Sequence, residues 1–97
     1  MSRSTSEAAT VDLVEIERCA LNETFAATGS DWRWDPETHR SLRRVGGIAR
    51  QLDEYGCRTG ELLNYEQLTR LRDDAVRRFD ALVLAADADQ PDQAWVA

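Results

Sequence analysis

Apolar residues recur at spacings of three and four along three separate stretches of the chain, which is the pattern of helices with one buried face. The spacing predicts helices over about 10–28, 36–55 and 65–86. Apolar and polar residues alternate over 31–34, but this stretch is too short to compete as a strand. The pattern therefore predicts an all-α protein.

The first predicted helix begins near Thr10 and ends at Gly29. Asp12 lies where the helix dipole favours an anion, and glycine readily adopts the left-handed conformation that follows a helix. A capping box over 4–7 offers an earlier start. One broad face of this helix is apolar, formed by Leu13, Val14, Ile16, Ala20, Leu21, Phe25 and Ala27.

The second predicted helix has clear signals at both ends. Asp35 is a preferred N-cap residue, Pro36 suits the first helical position, and Gly56 is expected to end the helix. Gly46 and Gly47 lie in its middle and cost about 1 kcal/mol each relative to alanine. Close helix packing or the approach of a partner's backbone is expected to offset that cost. The stripe facing the core is formed by Leu42, Val45, Ile48, Ala49, Leu52 and Tyr55.

The third predicted helix carries a reciprocal capping box, with Asn64 as N-cap and Gln67 three residues on, and a hydrophobic staple between Leu63 and Leu68. Its core stripe is formed by Leu68, Leu71, Ala75, Phe79, Leu82 and Ala86, widened by Val76 and Val83. Its outer face holds acid-before-base pairs at i,i+4, which are Glu66 with Arg70, Asp73 with Arg77 and Asp74 with Arg78. This outer face is expected to be neutralised internally.

Three amphipathic helices joined by short connections predict a small antiparallel three-helix bundle, because each apolar stripe needs partners to leave water. A helical hairpin that completes its core by dimerising is the alternative. A single helical domain is expected over 10–86, between a flexible polar tail at 1–9 and a flexible acidic tail at 87–97.

Composition and charge exclude some classes of partner. The 97 residues carry a net charge of -6, and all 12 basic residues are arginine, which argues against broad attraction to a phosphate backbone or an anionic membrane. The longest apolar run, 81–86, is far below the ~20 residues that span a bilayer. With no apolar leader at the N-terminus, a cytoplasmic protein without a membrane partner is expected.

Candidate catalytic residues are few. Cys19, Cys57 and His39 are too few to assemble a zinc site, and no nucleophile stands at a helical spacing from the single histidine. The two cysteines are expected to be reduced thiols. The chain is therefore predicted to be no enzyme on its own, and to carry neither a cofactor nor a metal.

The second predicted helix carries the strongest local charge asymmetry. In one continuous helix, Arg40, Arg43, Arg44 and Arg50 share an arc of about 140° with His39 and Gly47. Arg40 can pair with Glu37 and Arg50 with Glu54, but Arg43 and Arg44 have no acidic residue at i±3 or i±4. The stripe either binds an acidic protein surface or a phosphate backbone, or its arginines pair with carboxylates of the first helix or simply extend into water.

Tryptophan supplies the other candidates. Trp32, Arg33 and Trp34 lie between the first two predicted helices, where they either close one end of the bundle or serve as interface anchors. Trp95, in the acidic C-terminal tail, is a candidate short docking motif or packs onto its own bundle.

These features predict a non-catalytic protein-binding module that acts on a larger protein or complex as an inhibitor, adaptor or accessory subunit. Phage-encoded inhibitors of host defence are one such class. The expected mechanism is steric and electrostatic, with tryptophan anchors and an acidic surface that steers the module to a basic site. The alternatives are a DNA-binding regulator that uses the arginine stripe, a small subunit of a larger enzyme complex, and, as to assembly, a homodimer.

Overall fold

The computed structural model describes residues 12–88, in which four helices follow one another and no strand forms. The helices are α1 (Leu13–Ala27), α2 (Pro36–Arg43), α3 (Ile48–Thr59) and α4 (Tyr65–Ala88). The all-α prediction is confirmed. The prediction of three helices is wrong, because the second predicted helix is two.

Parts of the predicted ends lie outside the described residues. These are the tail at 1–9 and most of the acidic tail. The predicted start of the first helix near Thr10 is wrong, because Asp12 is the extended N-cap of a helix that begins at Leu13. Residues 87 and 88, which were assigned to that tail, belong to α4.

Local capping determines both ends of α1. The Asp12 carboxylate accepts a hydrogen bond from the Glu15 backbone N–H at 3.1 Å and so serves as the N-cap. At the other end Gly29 has φ 78°, and its N–H donates to Ala26 O at 3.3 Å while the N–H of Ser30 donates to Phe25 O at 2.9 Å. This pair of bonds is a Schellman motif, which confirms Gly29 as the end signal.

The break between α2 and α3 occurs at the paired glycines. Gly46 has φ 148°, a conformation that a helix cannot contain and that favours glycine, and Gly47 becomes the N-cap of α3. The Gln51 side chain joins the two halves of this turn, because its Nε2 donates to Gly46 O at 3.0 Å. The two glycines therefore divide the helix in two, rather than weakening one continuous helix.

The end of α3 also differs from the prediction. Gly56 is helical and buried, and Gly60, with φ 79°, is the left-handed residue that ends the helix. A Cβ on Gly56 would lie 2.9 Å from Glu61 O, so this glycine admits the α3–α4 connection rather than ending the helix. Helix α3 consequently runs to Thr59.

The start of α4 is as predicted. The Asn64 side-chain Oδ1 accepts from the Gln67 N–H at 2.8 Å, and the Asn64 N–H donates to Gln67 Oε1 at 3.0 Å. This is the reciprocal capping box. Leu63 and Leu68, the predicted staple pair, are both half-buried against the core.

The core lies where all four helices and the α1–α2 connection meet. Helices α1 and α4 are antiparallel, since Thr28 and Leu71 line one groove and Glu23 Oε1 lies 3.9 Å from Arg78 Nη1. The fully buried cluster consists of Leu21, Phe25, Trp34, Leu42, Leu52 and Ala75. Within residues 12–88, no helix combines the length and the apolar character needed to cross a membrane.

Candidate protein-binding groove

The α1–α2 connection is held onto α1 by two-way hydrogen bonding. The N–H of Trp34 donates to Asn22 Oδ1 at 2.8 Å, and Asn22 Nδ2 donates back to Trp34 O at 2.9 Å. Arg18 Nη1 donates to the same carbonyl at 3.1 Å. These bonds place the Trp34 ring in the core, where it is fully buried, so Trp34 is not an exposed anchor.

The Trp32 ring takes a different position, half-buried at the end of the bundle. It packs edge-on against Phe25 and Tyr55, with ring centroids 5.6 and 4.8 Å apart. Its Nε1 donates to Glu61 Oε1 at 2.6 Å. Trp32 therefore joins the α1–α2 connection to the α3–α4 connection.

A groove of about 600 Å³ opens beside Trp32 between these two connections and the first turns of α4. Its lining residues, which define the end groove below, are Thr28, Ser30, Trp32, Glu61, Leu62, Leu63, Gln67, Arg70 and Leu71. Leu62 is 70% exposed. Tyr65, at the start of α4, is 83% exposed nearby in the chain.

Sequence reasoning identified Trp32 but missed Glu61, Leu62 and Tyr65. The available signal was the pair of leucines at 62 and 63, of which only Leu63 has a place in the predicted staple. A second leucine in a connection has no core stripe to join. Leu62, which has no place in a core stripe, is therefore the sequence feature that indicates the groove.

The predicted arginine stripe is not one continuous surface, because the break at Gly46 and Gly47 separates Arg40 and Arg43 on α2 from Arg50 on α3. Arg43 pairs with the first helix, its Nε lying 3.0 Å from Glu17 Oε1. The remaining arginines, Arg40, Arg44 and Arg50, are exposed, and no carboxylate in residues 12–88 lies within 4.0 Å of their guanidinium nitrogens.

The anticipated pairs of Arg40 with Glu37 and of Arg50 with Glu54 are thus not formed. Glu54 instead accepts from Arg58 Nε at 3.0 Å. Arg50 lies along Gly46, where its Cδ would be 3.0 Å from an added Cβ.

His39 lies next to Glu17 and Arg43 in a small polar cluster beneath α2. Its Nε2 is 3.1 Å from Glu17 Oε1, and its side chain is 1% exposed. Burial lowers the pKa of His39 below 6.5, while the Glu17 carboxylate opposes that shift. The histidine thus joins α2 to α1 in the interior and is not part of an exposed basic stripe.

The outer face of α4 is largely neutralised, as predicted, although the pairing differs in detail. Arg78 Nε lies 3.0 Å from Asp74 Oδ2, and Arg70 Nη2 lies 3.5 Å from Glu66 Oε2. Arg77 pairs with Asp74 instead of Asp73, and the Asp73 carboxylate is 2.8 Å from Arg72 Nη2. The two arginines next to Asp74 lower the pKa of that carboxyl group against the effect of its burial.

The remaining candidates fall in separate places. Arg33 is exposed and lines a smaller hollow of about 290 Å³ with Cys19 and Glu23. Cys19 is half-buried, Cys57 is exposed, and both thiols are free. No group of three or more metal-ligating side chains occurs in the described part of the chain. Trp95 lies outside the described residues.

Comparisons with known proteins give a local likeness. The chain is 54% identical over 33 residues to Protein CbbY of Rhodobacter capsulatus, and equally to Protein CbbY of Cereibacter sphaeroides. The match covers 34% of this chain and 14% of each relative, so it spans about a seventh of the length of these curated proteins. No protein-family model matches the chain, and no solved structure matches it.

Proposed function

We propose that this chain is a non-catalytic protein-binding module that acts on a larger partner as an inhibitor, adaptor or accessory subunit, and that the partner binds in the end groove. The observation that carries the proposal is the apolar wall formed by Trp32, Leu62 and Leu71 beside the polar side chains of Gln67 and Arg70. An apolar centre with a polar rim is the usual anatomy of a protein interface.

Leu62 and Trp32 supply the binding energy in this proposal. Covering a leucine side chain that is 70% exposed stabilises a complex by about 1–2 kcal/mol. Tryptophan is among the residue types that dominate interface hot spots, and the Trp32 ring is half-buried with its position already determined by Phe25, Tyr55 and Glu61. A partner side chain would therefore insert between an aliphatic and an aromatic surface.

The walls of the groove are pre-organised. The Trp32–Glu61 hydrogen bond, the close approach of Glu61 O to Gly56 and the capping box at Asn64 hold both connections in place. Little conformational entropy is then lost on binding, which favours affinity at a groove of modest size.

The test is a pull-down with the full chain from lysate of its source, comparing the unmodified protein with Leu62→Asp. Leu84→Asp is the matched control, because Leu84 is 68% exposed, nearly the same as Leu62, and lies in the C-terminal half of α4 away from the groove. A stoichiometric protein that is captured by the unmodified chain and by Leu84→Asp, and lost with Leu62→Asp, is the expected result. Equal capture by all three proteins would overturn the assignment of the groove.

A further inference from the structure

The charges around the end groove indicate what kind of segment it accepts. Two charged side chains line it, Glu61 and Arg70. Arg70 is paired with Glu66 at 3.5 Å. Glu61 forms no ion pair with any residue of 12–88, and the described hydrogen bond to it, from Trp32 Nε1, reaches Oε1. The groove thus presents one carboxylate without a cation.

The helix ends add to this negative potential. Helix α1 ends at Ala27, just before the lining residue Thr28, and α3 ends at Thr59, just before Glu61. A helix C-terminus carries the negative end of the helix dipole. The opposing positive end of α4 is met by its own Asn64 cap and by Glu66 in its first turn.

We infer that the end groove binds a cationic, apolar segment of the partner: an aliphatic or aromatic side chain inserts between Leu62 and Trp32, and a lysine or arginine three or four residues away pairs with Glu61. This inference rests on the proposed function and names its partner chemistry. The net charge of -6 acts in the same direction, because it attracts a basic segment and repels both a second copy of this chain and nucleic acid.

The experiment measures anisotropy of fluorescein-labelled 16-residue peptides on the full chain. One peptide is an amphipathic Leu/Lys helix, its twin replaces every lysine by glutamate, and a third keeps the lysines but replaces the leucines by serine. We expect the Leu/Lys peptide to bind at least about tenfold more tightly than either of the others, because it alone supplies both the anchor and the cation.

Two variants and one control test whether the peptide binds in the end groove. Glu61→Gln keeps the acceptor for Trp32 Nε1 and removes the charge, and we expect it to weaken the Leu/Lys peptide by about threefold. Asp80→Asn is the matched control, since Asp80 is exposed, forms none of the ion pairs described above and lies about 13 Å along α4 from Leu71. The control changes the net charge equally and is expected to leave binding unchanged. Leu62→Asp is expected to abolish it.

Each contrary outcome overturns a different part. If the Leu/Glu peptide binds as tightly as the Leu/Lys peptide and Leu62→Asp abolishes that binding, the groove is the binding site but its preference for a cation is wrong. Equal weakening by Asp80→Asn and Glu61→Gln shows attraction by net charge alone, which also overturns the inference. If binding survives Leu62→Asp, the end groove is not where the peptide binds, and the proposed site is wrong as well. A dimer in sedimentation equilibrium that Leu62→Asp dissociates would show that a second copy is the occupant.

Discussion

The large apolar side chains of α1 are buried toward the groove end of the α1–α4 pair and exposed at the far end. At the groove end, Leu21 and Phe25 of α1 are fully buried. At the far end, Leu13 and Val14 of the same helix are 51% and 42% exposed, and Leu84 of α4, which lies outside the predicted stripe, is 68% exposed. The prediction that Leu13 and Val14 lie on the buried face is therefore wrong, and so is the same prediction for Ala27 of α1 and Val76 of α4, which are exposed as well.

This difference in burial arises because further elements pack onto α1 and α4 at one end only. The α1–α2 connection and α3 cover the groove end, where Trp34 and Leu52 complete the core. Of the α4 side chains that the structure describes, through residue 86, Ala75 alone is fully buried. An amphipathic stripe thus shows that a residue can be buried, but the neighbouring elements decide whether it is.

The largest expected effect is that of truncating the aromatic core at the covered end. Phe25→Ala removes a ring that contacts both Trp32 and Trp34, and we expect it to lower the free energy of unfolding by about 3–5 kcal/mol. Val14→Ala at the open end should cost about 1 kcal/mol or less. Urea unfolding followed by circular dichroism measures both. Similar losses for the two variants would mean that the ends are equally packed.

The next effect concerns the glycine that lets the α3–α4 connection close the groove. A Cβ on Gly56 would lie 2.9 Å from the Glu61 carbonyl oxygen, which is backbone and cannot rotate away. We expect Gly56→Ala to cost about 1–3 kcal/mol of unfolding free energy and to weaken binding in the end groove.

Gly47→Ala is the control for this substitution, because nothing lies within 4 Å of a Cβ there and its φ is -78°. The control should shift the unfolding midpoint little. A Gly56→Ala protein as stable as the Gly47→Ala protein would contradict the role given to Gly56.

The helix ends divide into those that sequence determines and those that it does not. The Asn64–Gln67 box and the Gly29 motif were predictable, because each is made by residues within a few positions of one another. Gly56 and Gly60 are equally plausible end signals by residue type. The choice between them depends on the path of the α3–α4 connection, which brings Glu61 O against Gly56 and which residue type alone does not determine.

The candidate site shows the same division. The sequence placed the tryptophan pair over the end of the bundle, but the hydrogen bonds between Asn22 and the Trp34 backbone decide that Trp34 enters the core while Trp32 borders the groove. The partner of Arg43 is Glu17, 26 positions away, beyond any i±4 rule. Helical periodicity relates residues within one helix and therefore does not predict this pair.

A smaller and pH-dependent effect is expected from the cluster where α2 meets α1. Above pH 6.5 His39 is mostly neutral in both the folded and the unfolded chain. Its folded pKa is lower, chiefly through burial, with Glu17 opposing the shift and Arg43 and Arg18 reinforcing it. As the pH falls below 6.5, the unfolded state binds the proton first, so the free energy of unfolding decreases until the folded pKa is reached.

Urea midpoints at pH 7 and pH 5 measure this effect, with His39→Gln as the comparison. The lowered pKa values of Glu15, Asp35 and Asp74 act below about pH 4.5, outside that window. We expect the loss between pH 7 and pH 5 to be smaller in the variant. An identical loss would show that the pKa of His39 is the same in the folded and the unfolded chain.

The smallest expected effect is at Leu84, and it tests which end of the molecule is functional. Its side chain is as open as that of Leu62, but it lines neither the end groove nor the hollow beside Arg33. Leu84→Ser should therefore change the unfolding free energy by less than about 0.5 kcal/mol and leave partner capture intact. If capture were lost with Leu84→Ser and kept with Leu62→Asp, the open end of the α1–α4 pair would be the binding surface, and the exposure of Leu13, Val14 and Leu84 would mark the partner's position.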